Sequence, residues 1–230
     1  LLESAKAHEN WGRYTFLGFE PELSISCIDG KMNVDGKEFE CNDPSNYLRE
    51  LLKKYKSPRI PSLPPFTGGL VGYFSFDFIN YKEPSTKTDI DDGEGFKDID
   101  LMLFKDVIAF DNVKQKIILI TNIELDKDID VEYKKALKRL NSIKELLYTG
   151  KKSFEGGKLL SEVTPLFSKD EFSKMIDKAK YHIKEGDIFQ IVLSNRLQAN
   201  FEGSLFDTYR VLRTVNPSPY MFYFSGTDVE

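Results

Sequence analysis

The chain has 230 residues, of which 40% are hydrophobic and 13% aromatic, so it can bury a core and is not disordered as a whole. Its 32 Lys and Arg residues stand against 37 Asp and Glu residues, and a net charge of -5 offers no basic surface to a nucleic acid. No apolar run approaches the roughly 20 residues that span a bilayer. Cys27 and Cys41 are too few for a disulfide framework, so we expect a cytoplasmic protein with reduced thiols.

The first part of the chain predicts short strands followed by a helix. Asp29-Gly30 and Asp35-Gly36, whose glycines tolerate the positive φ of tight turns, divide residues 19–42 into a small antiparallel meander. Asp43-Pro44 is typical of a helix start, because Asp accepts hydrogen bonds from the first turn and Pro needs no donor there. The helix then ends at a group of prolines that begins with Pro58.

The segment Gly68-Gly69-Leu70-Val71-Gly72-Tyr73 superficially resembles a phosphate loop. It lacks a following Lys-Ser or Lys-Thr and the G-x-G-x-x-G spacing, so a nucleotide site is disfavoured. Glycines within an apolar strand more often mark a bulge or a close approach of two backbones.

Residues 82–97 are rich in Asp and Glu and predict a solvated loop. A calcium site is the alternative. The spacing does not match the Gly and Glu positions of an EF-hand loop, which disfavours metal binding here.

Two β-prone runs follow, Leu101 to Phe110 and Ile117 to Ile123, and we expect them to form a hairpin across residues 111–116. Apolar residues at helical spacing then predict a helix over residues 131–148, with Gly150 as its C-cap.

The second part of the chain begins after a polar stretch, residues 151–164, which we interpret as a linker between an amino-terminal domain, 1–150, and a second domain, 165–230. Ser168 and Glu171 match a capping box, and the helix that they start is expected to end at Gly186. Ile188 to Leu193 predicts a buried strand whose polar face, with Gln190 and Ser194, meets either solvent or a cleft.

The most informative segment is Asn216-Pro217-Ser218-Pro219-Tyr220-Met221-Phe222-Tyr223-Phe224. Each proline fixes φ and forces the preceding residue towards extended geometry, so the carbonyl groups are displayed at little entropic cost. A small polar ligand fits such a segment. A proline turn before an ordinary core strand is the alternative.

With Leu1-Leu2-Glu3-Ser4 and Trp11-Gly12-Arg13-Tyr14, this segment resembles anthranilate synthase component I, a family of chorismate-utilising enzymes, and the resemblance spans nearly the whole chain. It implies an α+β fold with mainly antiparallel β-sheets and flanking helices. It also implies that the two end segments face each other and bind the feedback inhibitor tryptophan. The effector-binding residues expected on this basis are Glu3, Ser4, Arg13, Asn216, Pro217, Pro219, Tyr220 and Met221.

The same resemblance implies a reaction that the chain itself is not expected to complete. Family members convert chorismate and ammonia into anthranilate and pyruvate with Mg2+, and a glutamine amidotransferase subunit supplies the ammonia. Their catalytic and metal-binding residues lie beyond the equivalent of Glu230, so we expect a fragment without activity. His8 and His182 are the only histidines, and neither lies in a nucleophile motif, so no catalytic residue is assigned.

Rival functions remain, both among related enzymes and from another class. Aminodeoxychorismate synthase component I shares the fold, the substrate and the ammonia source but retains pyruvate, and salicylate and isochorismate synthases generally lack the two end segments. A non-catalytic amino-acid-binding module is the alternative from another class. The pair of end segments favours anthranilate synthase.

Overall fold

The computed structural model describes residues 1–4, 12–87, 95–151, 156–226 and 228–230. Three features discussed above therefore lie outside the described residues in whole or in part. They are Trp11 with His8, the acidic centre of the 82–97 loop, and residues 152–155 of the expected linker.

The described residues form fourteen strands and four α-helices, besides two short 3-10 helices at Phe76–Tyr81 and Pro84–Thr86. The strands are β1 (Leu2–Glu3), β2 (Tyr14–Leu17), β3 (Leu23–Ile28), β4 (Lys31–Val34), β5 (Lys37–Glu40), β6 (Gly69–Phe74), β7 (Ile99–Phe104), β8 (Asp106–Asp111), β9 (Lys116–Thr121), β10 (Lys158–Leu159), β11 (Thr164–Pro165), β12 (Leu197–Gln198), β13 (Phe201–Glu202) and β14 (Met221–Phe222). The helices are α1 (Pro44–Lys54), α2 (Ile129–Thr149), α3 (Lys169–Glu185) and α4 (Phe206–Val215).

Two five-stranded antiparallel sheets organise most of the chain. The first sheet has the strand order β14-β1-β2-β8-β9, and the second has the order β5-β4-β3-β7-β6. Antiparallel strands with helices beside them confirm the predicted α+β class.

The meander predicted for residues 19–42 is confirmed as β3, β4 and β5 of the second sheet. Its two turns place Asp29-Gly30 and Asp35-Gly36 at positive φ, as a tight hairpin of this kind requires. The predicted helix is α1, which Asp43 caps by accepting from the backbone of Asn46. The core beneath it contains Ile25, Cys27, Met32, Leu48, Ile99 and Leu101. Both cysteines are free thiols, as expected.

The predicted run Leu101 to Phe110 is wrong as a single strand. It breaks at Lys105 into β7 of the second sheet and β8 of the first sheet. The break is fixed by Asn122, whose side-chain and backbone N–H groups both donate to the Lys105 carbonyl, at 2.8 and 3.1 Å. The Lys105 ammonium in turn pairs with Glu22 and Glu124, each at 2.7 Å. One residue thus carries the chain from one sheet to the other.

The hairpin predicted across residues 111–116 is confirmed by the pairing of β8 with β9. The predicted helix is also confirmed as α2, which begins after Asp128 and is capped by Gly150. Arg139 holds α2 beside the first sheet by donating from Nε to Asp106 Oδ2 at 2.6 Å, and Ile143 is the buried apolar residue of the helix.

The chain divides into two compact units, one of residues 1–152 with 212–230 and the other of residues 153–211. The segment that contains β14 thus belongs with the amino-terminal part of the chain. Two short strands, β10 and β11, lie within or at the edge of the stretch interpreted as a linker. The domain limits given above stay a prediction.

Within the second unit, Ser168 and Glu171 form the predicted capping box at the start of α3, and Gly186 ends this helix in the left-handed conformation. The strand predicted at Ile188 to Leu193 is wrong, because these residues have no regular structure. A buried strand needs a neighbouring strand for its backbone groups, and the described residues provide none here. Phe189 is accordingly 93% exposed.

The glycine-rich strand β6 confirms a close approach of backbones rather than a phosphate loop. A Cβ atom built on Gly72 would lie 1.9 Å from the carbonyl oxygen of Asp100 on the neighbouring strand β7. The φ of Gly72 is +155°, which also disfavours any residue with a side chain. Position 72 therefore requires glycine for two independent reasons.

We expect Gly72→Ala to lower the free energy of unfolding by more than about 3 kcal/mol, because the added methyl group meets backbone and the conformation is strained. Urea denaturation followed by circular dichroism would measure this. Gly156→Ala is the control, since a Cβ at Gly156 meets no atom within 4 Å. Equal stability of the two variants would contradict the close approach.

Candidate functional site

The two end segments of the chain lie side by side. Strand β1 pairs antiparallel with β14, with Leu2 opposite Phe222 and Glu3 opposite Met221. The ladder extends to Leu1 and Tyr223, whose backbone N–H and carbonyl groups exchange hydrogen bonds of 2.8 and 2.9 Å. On its other side β1 pairs with β2 through Leu2 and Phe16. The first residues and the strand that follows the double-proline segment therefore lie next to each other in space, as the resemblance implied.

The register of this pairing sorts the side chains by face. Glu3 and Met221 are cross-strand partners, so their side chains project from the same face of the sheet. Leu2, Phe222 and Phe16 share the opposite face. A carboxylate and a thioether thus stand next to each other at the edge of the first sheet.

Glu3 is a buried acid at this edge. Its side chain is only 3% exposed, and its Oε2 atom lies 3.1 Å from Nη2 of Arg213. Arg213 belongs to the last turn of α4, where a cation is also favoured by the negative end of the helix dipole. This arginine was not among the predicted site residues. It is far from Glu3 in sequence, and no periodicity or motif signals the contact.

The double-proline segment connects α4 to β14 and is exposed. Asn216 closes the helix by donating its N–H to the Leu212 carbonyl at 2.8 Å, and residues 216–220 all lie on the surface. Within the described part of the chain, no hydrogen bond reaches the carbonyl groups of residues 216–219. Tyr220 is 74% exposed. The segment therefore presents acceptors and an aromatic ring to solvent rather than capping a core strand.

The residues after β14 are fixed to the second sheet. Lys97 Nζ lies 2.7 Å from Asp228 Oδ2 and 3.2 Å from Asp100 Oδ2. Phe224 packs edge-on against Tyr73 with the ring centroids 6.2 Å apart. Strand β14 is thus held at both ends, by α4 before it and by this cluster after it.

Arg13 is engaged elsewhere. Its Nε and Nη2 atoms donate to the two carboxylate oxygens of Asp111 at 2.9 and 2.5 Å. The guanidinium also lies over the Tyr14 ring, 4.9 Å from its centroid. Because the side chain of Asp111 is only 2% exposed, this two-pronged pair fixes the guanidinium of Arg13 against β8.

The described residues contain few other candidates for chemistry. His182 Nδ1 lies 2.8 Å from Asp187 Oδ2 on the surface of the second unit. Among the described residues, no group of three or more His, Cys, Asp or Glu side chains is arranged to hold a metal ion. No helix in the same ranges is both long enough and apolar enough to cross a bilayer.

Comparisons with known proteins place this geometry in context. The family model described as chorismate binding enzyme matches residues 1–230. The chain is 36% identical over 236 residues to anthranilate synthase component 1 of Acetivibrio thermocellus and 37% identical over 237 residues to that of Aquifex aeolicus. In both comparisons the match covers 97% of this chain and 47% of the relative. The chain therefore spans about half the length of the curated relatives that it matches.

A solved structure agrees with these sequence relatives. The crystal structure of anthranilate synthase component I from Streptococcus pneumoniae matches with a TM-score of 0.75 and 28% sequence identity. The match covers 95% of this chain and 48% of that one. The predicted family and fold are both confirmed.

The pair of Arg13 and Asp111 predicts a specific dependence of stability on pH. The hydrogen bonds from Arg13 hold the pKa of Asp111 well below its usual value. A depressed pKa contributes stability that is complete above the unfolded-state value of about 4 and is lost as the pH falls through the folded-state value. We expect Asp111→Asn to be less stable than the original chain at pH 7 and to lose less on acidification.

Thermal unfolding between pH 7 and about pH 2 would measure this difference, since the lost contribution titrates in the acidic part of that range. Asp126→Asn changes an exposed carboxylate and is the control. If Asp111→Asn and the original chain lost stability in parallel below about pH 4, the pair would not be the source of the effect.

Proposed function

Because the chain belongs to the chorismate binding enzyme family, we propose that it is part of an anthranilate synthase component I that carries the site for the feedback inhibitor tryptophan. Relatives of that name, similar over almost all of this chain, support the proposal. The observation that carries it is the pairing of β1 with β14, which sets Glu3 opposite Met221 beside the exposed ring of Tyr220.

Tryptophan has three chemically different parts, and the site offers a partner for each. The α-ammonium can donate hydrogen bonds to the Glu3 carboxylate and to the carbonyl groups of Pro217 and Pro219. The Ser4 hydroxyl and the Asn216 side chain lie in the same two segments and can fix the polar end of the ligand. The indole can pack on Tyr220 and against the Met221 thioether. A free aromatic amino acid satisfies all three.

The chemistry of the whole enzyme is proposed on the family alone. The reaction is the amination of chorismate followed by elimination of pyruvate, with ammonia from a glutamine amidotransferase subunit in the cytoplasm. Mg2+ would assist this reaction, but the described residues do not form a cluster that fits it. No step is therefore assigned to a residue of this chain.

We expect L-tryptophan to bind to the 230-residue chain with a measurable heat in titration calorimetry. We expect Ser4→Phe to weaken binding at least about tenfold, because it replaces the hydroxyl of the proposed site with a bulky ring. Ser85→Phe is the matched control, because Ser85 is an exposed residue in a 3-10 helix. It should bind tryptophan as the original chain does. Equal heats from the original chain and Ser4→Phe would remove Ser4 from the site.

The proposed reaction has its own test. We expect the 230-residue chain to produce no anthranilate from chorismate and ammonium, because it spans about half of its relatives. The product of the complete gene should produce anthranilate, which its fluorescence reports. Accumulation of aminodeoxychorismate instead would favour the rival synthase. Turnover by the 230-residue chain alone would contradict the assignment of the catalytic residues to another part of the protein.

A further inference from the structure

One charged residue of the effector site has no assigned role. Arg213 contacts the buried Glu3 carboxylate through Nη2, yet 45% of the Arg213 side chain remains exposed. A guanidinium has five N–H donors in a fixed fork, so a single contact of this kind does not exhaust it. The exposed part of the fork is accessible to a ligand at the edge of the sheet.

The position of Arg213 along α4 brings it close to the ligand-facing segment. It precedes Asn216 by one helical turn, or about 4.5 Å of helix rise. Its partner Glu3 lies opposite Met221, at the centre of the expected site. Arg213 thus stands beside both segments that contribute to the site.

Arg13, the arginine among the expected effector-binding residues, is already engaged by another carboxylate. Both prongs of the Arg13 fork donate to Asp111, which is almost fully buried. Releasing Arg13 to a ligand would leave the Asp111 charge buried without a partner, which is strongly unfavourable. Arg213 can bind a second anion through its exposed side while Nη2 stays on Glu3, so no buried charge would lose its partner.

We propose that Arg213 binds the α-carboxylate of the effector, while Glu3 binds its α-ammonium. This inference rests on the proposed tryptophan site. It adds that the site is specific for ligands that carry both an ammonium and a carboxylate group. Glu3 and Arg213 place one negative and one positive group at adjacent positions in the proposed site, which complements the two charges of a free α-amino acid. An amine or a carboxamide of the same size leaves the guanidinium without its second anion.

The test compares L-tryptophan with L-tryptophanamide, which keeps the indole and the ammonium but lacks the carboxylate. Calorimetry on the 230-residue chain should show tryptophan binding about 10- to 100-fold more tightly, as the loss of one charge-assisted contact predicts. In Arg213→Met the affinity for tryptophan should fall by a similar factor and the affinity for the amide should hardly change. Arg213→Lys should keep part of the preference because it keeps the charge.

Arg210→Met is the matched control, since Arg210 lies on the same helix and pairs with Asp207 at 3.0 Å. It should keep the preference of the original chain. If Arg213→Met weakened both ligands equally, Arg213 would only hold α4 to β1, and the inference would fail while the tryptophan site stood. If Arg213→Met still preferred tryptophan to the amide, Arg213 would not bind the carboxylate. The inference would then fail too, while the tryptophan site stood. If the original chain bound neither ligand, the tryptophan site itself would fail.

Discussion

The structure depends on the ladder that joins the two ends of the chain, β1 against β14. Without it β14 would have no partner strand among the described residues, and the double-proline segment would be tethered only by α4 before it and by the contacts of Asp228 and Phe224 after it. The ladder is short, so its position is reinforced by charges and by packing. Arg213 holds Glu3 from one side, and Lys97 with Asp228 fixes the residues that follow β14. A site for a small molecule gains from such bracing, because less order has to be imposed when the ligand binds.

The same unit buries three acidic residues among its described residues, Glu3, Asp100 and Asp111, and each has a cation within reach. An unpaired buried carboxylate is costly. Removing the cation of any of these pairs is therefore expected to lower the free energy of unfolding. The three pairs differ in how far the cation is exposed. The Lys97 side chain is 15% exposed, whereas that of Arg213 is 45% exposed. This difference leaves part of the Arg213 guanidinium in contact with solvent, whereas the Lys97 ammonium is largely shielded.

Local signals in the sequence predicted local structure well, and long-range contacts were beyond them. The turns at Asp29-Gly30 and Asp35-Gly36, the cap of α1 and the capping box of α3 each depend on residues a few positions apart. The break at Lys105 depends on Asn122, which follows β9 and lies 17 residues further along the chain, so the apolar run by itself gave no sign of it. The prediction of a strand at residues 188–193 was wrong, because a buried strand also needs a neighbouring strand to pair with its backbone. The family resemblance predicted that the two end segments meet. Neither the local signals nor the resemblance predicted the contact of Arg213 with Glu3.

The ladder between β1 and β14 also constrains the order in which the molecule matures. Leu2 leaves the ribosome 220 residues ahead of its partner Phe222, so the two strands cannot pair until both have been made. Sheet pairings between such distant residues close slowly, since the chain between them must first be ordered. The pairing of the two end segments is therefore among the last features to assemble, and a chain that stops before β14 leaves β1 without this neighbour.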